Sequence, residues 1–204
     1  MTVMDSRREE RLQAHTVNLP PGYLPNPEQH LSNMRDGFHA IWTLKQLEDM
    51  QHATVLDIGC YDGWLDFLLI LRGYILVGVE VVPELAEAAR HYAERNFLPY
   101  EVHTGFFDEL DIKSPFDVVM AYEVLEHVSF DEIPDYIARM ERVAQKKVLI
   151  SLPDQKHEEN EQHLWTPTEE LIKELWGDRK EFHLGYRTYE GTDIPPNFFI
   201  SYMI

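Results

Sequence analysis

An apolar run that ends in an acid and passes straight into a glycine-punctuated turn, Val55-Leu-Asp-Ile-Gly-Cys-Tyr-Asp-Gly-Trp-Leu65, constrains this chain more than any other stretch. The residues before Gly59 suit a buried strand, and those after Gly63 the start of an apolar helix. The glycines let a ligand approach the backbone closely, because no Cβ stands in the way. The loop is therefore a candidate for binding a nucleotide-like cofactor.

The surrounding pattern alternates strand and helix. Apolar residues from Leu31 to Leu47 recur at helical spacing and predict one helix within 28–50. Strands are expected over 54–58, 74–80, 100–104, 116–121 and 147–152. Helices are expected over 64–71, 83–96, 130–143 and 167–175, the last capped by Thr166. Such alternation predicts a mostly parallel sheet with helices on both faces. Two strand-like stretches, 181–189 and 197–204, have no helix between them and read as a hairpin that adds an antiparallel strand. Residues 1–27 are polar and proline-rich and read as an arm.

The net charge of −18 disfavours nucleic acid and anionic membranes as partners, since both call for a basic surface. No run approaches the roughly 18 apolar residues of a membrane span, and the polar first residues do not resemble a signal peptide. The single cysteine, Cys60, excludes an intrachain disulfide and a cysteine-rich zinc site. A reducing, cytoplasmic setting is expected.

Ligands of a doubly wound sheet bind at the carboxyl ends of its strands. Three such ends carry informative residues: Asp57-Ile-Gly-Cys-Tyr-Asp-Gly63, Val77-Gly-Val-Glu80 and Phe116-Asp-Val-Val-Met-Ala-Tyr-Glu-Val-Leu-Glu-His127. The Glu80 carboxylate suits the two hydroxyls of a ribose. The Gly-x-Gly-x-x-Gly fingerprint of dinucleotide enzymes is absent, with Tyr61 at its middle position. Asp57 would face a pyrophosphate badly and suits a cationic ligand.

These segments resemble those of the class I S-adenosylmethionine-dependent methyltransferases, over roughly residues 54–175. The third segment is similar to the branch that methylates quinones, sugars and other small metabolites. The resemblance implies an α/β, Rossmann-like doubly wound sheet of seven strands, mostly parallel, with an antiparallel C-terminal hairpin strand. It also implies S-adenosylmethionine as cofactor and S-adenosylhomocysteine as product. Asp57 and the loop of Gly59, Cys60, Tyr61, Asp62 and Gly63 would hold the methionine part. Glu80 would take the ribose and Val81 would lie beside the adenine, with Phe106 and Phe107 near it. Ala121, Tyr122 and Glu123 would line the methyl-donor side. Tyr61 departs from the family, which often has glycine there.

Methyl transfer mainly needs alignment in a dry site, and an acceptor hydroxyl adds the need for a base. His163 and His127 are the expected catalytic residues, His163 slightly favoured, with His39 a third candidate. If Glu123 begins a helix, then Glu123, Glu126 and His127 share one face. With His163 they would form a divalent-cation site, the less favoured reading; no metal is assigned. The expected organisation is residues 1–50 as an arm and helix that close over the substrate, and residues 51–204 as the cofactor-binding domain. The expected acceptor is a small molecule methylated at oxygen or nitrogen, and the expected assembly a monomer or homodimer. The alternatives are a metal-assisted enzyme acting on an RNA end and a non-catalytic cofactor-binding module.

Overall fold

The computed structural model describes Val17 and residues 19–112, 115–154, 163–191 and 194–204. Most of the expected arm, and part of the loop before His163, lie outside these residues.

Among the described residues, seven strands form one sheet. They are β1 (Thr54–Ile58), β2 (Ile75–Glu80), β3 (Tyr100–Thr104), β4 (Phe116–Tyr122), β5 (Ala144–Pro153), β6 (His183–Arg187) and β7 (Asn197–Met203). Their order is β3-β2-β1-β4-β5-β7-β6. Neighbours from β3 to β5 pair in parallel, and β7 runs antiparallel to both β5 and β6. The hairpin therefore closes the sheet with its second strand placed inside its first. The chain order reverses between β1 and β4, the crevice where doubly wound sheets bind ligands.

Alternation along the strands sends side chains to two faces. Leu56, Ile58, Val119 and Ala121 pack with Ile133, Ile137 and Met140 of helix α5 (Ile133–Val143) and Ile172 and Trp176 of α6 (Glu169–Trp176). Val55, Val118 and Met120 face the other way, onto Leu65 and Leu69 of α3 (Trp64–Leu71) and Ala40 of α2 (Met34–Gln46). Both faces are covered, so the central strands are apolar throughout. Helix α4 (Pro83–Arg95), with proline in its first turn, packs its alanines against Val102 of β3.

Two expectations need correction, and one conditional reading is not met. The helix predicted within 28–50 is two helices, α1 (Pro27–Ser32) and α2, broken at Asn33. The Asn33 side chain accepts from the amides of Arg35 and Asp36, capping α2 in place of continuing α1. Helix α6 starts two residues later than predicted, because the Thr168 hydroxyl, and not Thr166, accepts from the Leu171 amide. The segment after Tyr122 does not begin an α-helix. Glu123 has a φ of 55°, and Leu125–His127 form a single 3-10 turn.

Candidate functional site

The loop between β1 and α3 takes its shape from three residues in the left-handed region, Gly59 (φ 76°), Tyr61 (φ 55°) and Gly63 (φ 79°). A Cβ on Gly59 would overlap the Val124 side chain, so glycine is needed there for space as well as for backbone freedom. The amides of Gly59 and Cys60 both donate to the Val79 carbonyl, at 2.7 and 3.1 Å, tying the loop to β2. Tyr61 is a non-glycine residue at a backbone position that favours glycine. Its amide donates to Glu80 Oε2 at 2.9 Å, and its ring is 40% exposed at the rim of the cavity.

Glu80 ends β2 and accepts from two amides, Tyr61 at Oε2 and Val82 at Oε1, the latter at 2.8 Å. Burial pushes its carboxyl up to about 7, against the pull of those amides. Asp57 is also buried and lies against Asp66 of α3, whose Oδ2 accepts from the Tyr100 hydroxyl. Burial first, and then the Asp66 and Glu80 charges, hold Asp57 well above the usual carboxylate range. Burial likewise pushes Asp66 up to about 7. Two carboxyls in one dry site cannot both ionise cheaply, so the pair retains a proton near neutrality. A cation brought beside Asp57 would repay that cost.

Asp57 and Glu80 border a cavity of about 420 Å³. Of the predicted cofactor residues, Asp57, Gly59, Cys60, Tyr61, Glu80, Val81, Phe106, Phe107, Tyr122 and Glu123 line it. Three do not. Ala121 is fully buried in the sheet core. Gly63 turns the backbone into α3. Asp62 points toward the N-terminal segment: Oδ1 accepts from the Trp64 amide at 3.1 Å, and Oδ2 takes the Tyr23 hydroxyl at 2.5 Å and lies 3.3 Å from His30 Nε2.

The N-terminal helices supply one wall. His30, Arg35, Asp36 and His39 line the cavity. His30 is held between Asp36, at 2.8 Å, and Asp62, and stacks on Trp64 with ring centroids 5.0 Å apart. Burial alone would lower the His30 pKa, but the hydrogen bonds and charges of the two aspartates outweigh it and raise it to about 9.

The expected catalytic histidines stand together, ring centroids 4.8 Å apart. His127 lines the cavity, whereas His163 is not among its lining residues. The loop carrying His163 is pinned to the 3-10 turn, the Leu164 amide donating to the Glu126 carbonyl at 2.8 Å and Trp165 Nε1 to the Leu125 carbonyl at 2.8 Å. Burial, with the His127 charge, lowers His163 to about 4, so it is neutral at physiological pH. Glu126, His127 and His163 can offer three ligand atoms within 4.8 Å of one another. Glu123, the fourth residue of the less favoured cation set, is absent from that cluster. It is turned onto Ser151 and Asn197, at 2.8 Å from each.

Residues 55–147 match a family model described as a methyltransferase domain. That stretch, a little under half of the chain, is similar to methyltransferase domains. The match spans the cofactor loop, Glu80 and the whole of β4. The domain is 31% identical over 81 residues to a ubiquinone biosynthesis O-methyltransferase of Rickettsia prowazekii (strain Madrid E), covering 40% of this chain and 32% of that protein. It is 30% identical over 95 residues to the enzyme of the same description from Rhodopseudomonas palustris (strain BisB5), covering 47% and 37%. The matched region is thus about a third of each of these relatives.

Solved structures show the fold over more of the chain. Magnesium protoporphyrin IX methyltransferase from Synechocystis PCC 6803, with bound S-adenosylhomocysteine, superposes with a TM-score of 0.69 at 14% identity, covering 98% of this chain and 94% of that one. The N-methyltransferase NodS from Bradyrhizobium japonicum WM9 gives 0.69 at 15% identity, covering 85% and 98%.

Sequence reasoning passed over several cavity and second-layer residues, among them Asp36, Trp64, Val124, Ser151 and Asn197. Ser151 left one signal, a hydroxyl breaking the apolar run Val148-Leu-Ile-Ser-Leu152.

Proposed function

We propose that this chain is an S-adenosylmethionine-dependent methyltransferase that methylates an oxygen or nitrogen of a small molecule. The observation that carries the reading is the corner built by Gly59 and Glu80. Gly59 keeps the loop backbone free of a Cβ where Val124 packs against it, and beside it the buried Glu80 carboxyl is braced by two amides at the cavity wall. That corner fits the cofactor. Glu80 would take the ribose hydroxyls, Val81 and Phe106 would lie by the adenine, and Asp57 would face the ammonium group of the methionine part. The bound cofactor supplies a methyl group on a sulfonium, which an acceptor lone pair can displace. The protein aligns the acceptor and keeps water out, the N-terminal helices serving as the wall that closes the site. Residues 1–50 act in this reading as the substrate-facing cover of a domain spanning 51–204. His127, on the cavity wall, contacts the acceptor, and His163 fixes the His127 ring from behind.

Among the described residues no helix is long and apolar enough to cross a membrane, and a cytoplasmic small-molecule enzyme fits the acidic surface. Calorimetry with S-adenosylhomocysteine, followed by transfer of a labelled methyl group to fractionated metabolite pools, tests the proposal. No detectable cofactor binding sinks it; tight binding without turnover on any pool converts the chain to a non-catalytic module. Activity indifferent to chelation leaves Glu126, His127 and His163 as a packed brace. Activity lost on chelation and restored by Mg²⁺ or Mn²⁺ makes the enzyme metal-assisted.

A further inference from the structure

Arg35 is the one lysine or arginine among the described residues that line the cavity, and it shares the wall with the carboxyl groups of Asp36, Asp57, Glu80 and Glu123. It stands in the first turn of α2, where Asn33 Oδ1 accepts from its amide at 2.9 Å. The positive end of a helix dipole favours an acid at such a position, so a cation there runs against local preference. Residues that break a local rule gather at functional sites. The fold makes little use of the guanidinium. Nε donates to Asp36 Oδ1 at a long 3.3 Å, and neither Nη atom has a hydrogen-bond partner among the described residues. Asp36 is held through its other oxygen by His30, at 2.8 Å. A guanidinium carries five N–H donors in a rigid fork that matches a carboxylate, and the four on the Nη atoms are left open here.

The backbone beneath this fork is fixed. The Arg35 carbonyl lies 2.9 Å from His39 Nδ1, and His39 Nε2 lies 2.9 Å from Ser151 Oγ of β5. Thr43 Oγ1 lies 2.9 Å from the Tyr122 hydroxyl of β4, and the Phe38 and Trp42 rings each pack on Phe199 of β7 with centroids 5.0 Å apart. Helix α2 is therefore tied to three strands and holds Arg35 at a set place, which lowers the cost of binding. Two carboxylates could fill the fork, the cofactor's own and one on the acceptor. In the proposed placement the cofactor's ammonium meets Asp57. The ammonium and carboxylate of a methionine tail sit on one carbon, so the cofactor's carboxylate lies beside Asp57 too. The charges acting on Asp57 are those of Asp66 and Glu80, with Arg35 not among them. Arg35 acts instead on Tyr61 at the rim, on Tyr189 beyond β6, and on Glu126, the neighbour of His127. His127 is the wall residue assigned to the acceptor, and Arg35 lies on that side.

We propose that the methyl acceptor is an acid, and that Arg35 holds its carboxylate while a different oxygen or nitrogen of the same molecule is methylated. The proposal rests on the methyl-transfer reading above. The carboxylate in the fork is not the nucleophile, because its lone pairs point into the guanidinium. The methylated product therefore keeps a free carboxylate. In a chain of net charge −18 the long-range field disfavours an anion, and the open Nη groups supply the local attraction that admits one. Arg35 is a binding residue, setting which molecules enter and how they lie.

Binding and turnover test this separately. Benzoate and its neutral isostere benzamide are titrated into the protein, with and without S-adenosylhomocysteine, and followed by amide NMR shifts at the cavity. Benzoate is expected to bind about tenfold or more tighter than benzamide, and Arg35→Gln to remove that preference. Arg35→Lys, which keeps the charge and loses the fork, should retain part of it. Both variants should melt within about 2 °C of native, since the guanidinium has few partners to lose. No preference for benzoate in the native chain, or a preference that survives in Arg35→Gln, overturns the proposal. Calorimetry then compares S-adenosylhomocysteine with its analogue lacking the carboxylate, and Arg35→Gln should bind each within about threefold of native. A loss of about tenfold or more for S-adenosylhomocysteine alone gives Arg35 to the cofactor's carboxylate and overturns the acceptor assignment. In the labelled-methyl assay the product should form an ethyl ester in acidic ethanol, and Arg35→Gln should raise KM about 10- to 100-fold with kcat within about threefold. A labelled product that forms no ester overturns the proposal. Absence of turnover on any pool strikes the methyltransferase reading, while the benzoate titration still decides whether Arg35 is a carboxylate site.

Discussion

At Asp57 the requirements of binding and of stability oppose each other. Its carboxyl is buried against Asp66 and retains a proton at a pH where an ordinary aspartate has lost it. Asp57→Asn keeps the shape and removes the ionisation problem. The apo protein carrying it should be more stable at pH 8 than native by about 1–3 kcal/mol, because a raised carboxyl pKa is a cost that grows with pH. The same change should weaken S-adenosylhomocysteine binding by about 1–3 kcal/mol, through loss of a charge-assisted partner for the ammonium group. Urea denaturation and calorimetry measure the two effects separately. A variant that binds as well as native would remove Asp57 from the cofactor site and leave it a core residue. Gly59→Ala tests the loop from the opposite side. It puts a Cβ into the Val124 side chain at a φ of 76°, and should abolish cofactor binding while the melting curve stays cooperative.

At the scale of the elements, the sequence was informative where structure is set locally. Strand β1 and helix α3 begin and end where the apolar run meets Gly59 and Gly63, and their bounds were legible to the residue. The break at Asn33 was hidden because Leu31 and Met34 continue the helical period, yet both are more than 40% exposed and support no apolar face. The helical spacing of Glu123, Glu126 and His127 allowed a helix start at Glu123 only as a condition; a left-handed residue that is neither glycine nor asparagine gives no local cue to decide it. The partnership of His39 with Ser151 depends on α2 crossing β5, a tertiary fact that no window of residues contains. Docking of α1 is a consequence of the same kind. His30 joins it to the cofactor loop through Asp62, and its pKa is raised from 6.5 to about 9. A raised pKa on a base stabilises fully below its unfolded value and is lost as pH climbs through the folded one. The contact should therefore hold below about pH 6.5 and loosen as pH rises toward 9, by roughly 1–2 kcal/mol once solvent screening is allowed for. Hydrogen exchange of α1 amides at pH 7 and pH 9.5, corrected for intrinsic rates, checks this. His30→Gln should show the loosened pattern at both pH values, and protection that is equal in native protein at both would refute the latch.

For the whole molecule, the acidic surface and the acidic cavity act in the same direction but through different dielectrics. The net charge of −18 repels itself across solvent, where salt screens it: the Debye length falls from about 30 Å at 0.01 M to about 10 Å at 0.1 M. Asp57, Asp66 and Glu80 lie in the interior, where salt reaches poorly. All three have folded pKa values raised above the unfolded ones. The folded state therefore holds protons that the unfolded state releases first, and stability declines as pH rises from about 4, levelling off above about 7 for Asp66 and Glu80. The apo protein should be less stable at pH 8 than at pH 5.5 by about 2–4 kcal/mol in urea denaturation. Raising salt should recover the surface share and leave the buried share. In the proposed placement S-adenosylmethionine would bring a cation and a pair of ribose hydroxyls to that buried share, so its stabilisation should exceed at pH 8 what it gives at pH 5.5, at equal ligand concentration. If salt alone closes the pH gap, the interior carboxyls are not its source; if the cofactor stabilises equally at both pH values, its ammonium group does not meet Asp57.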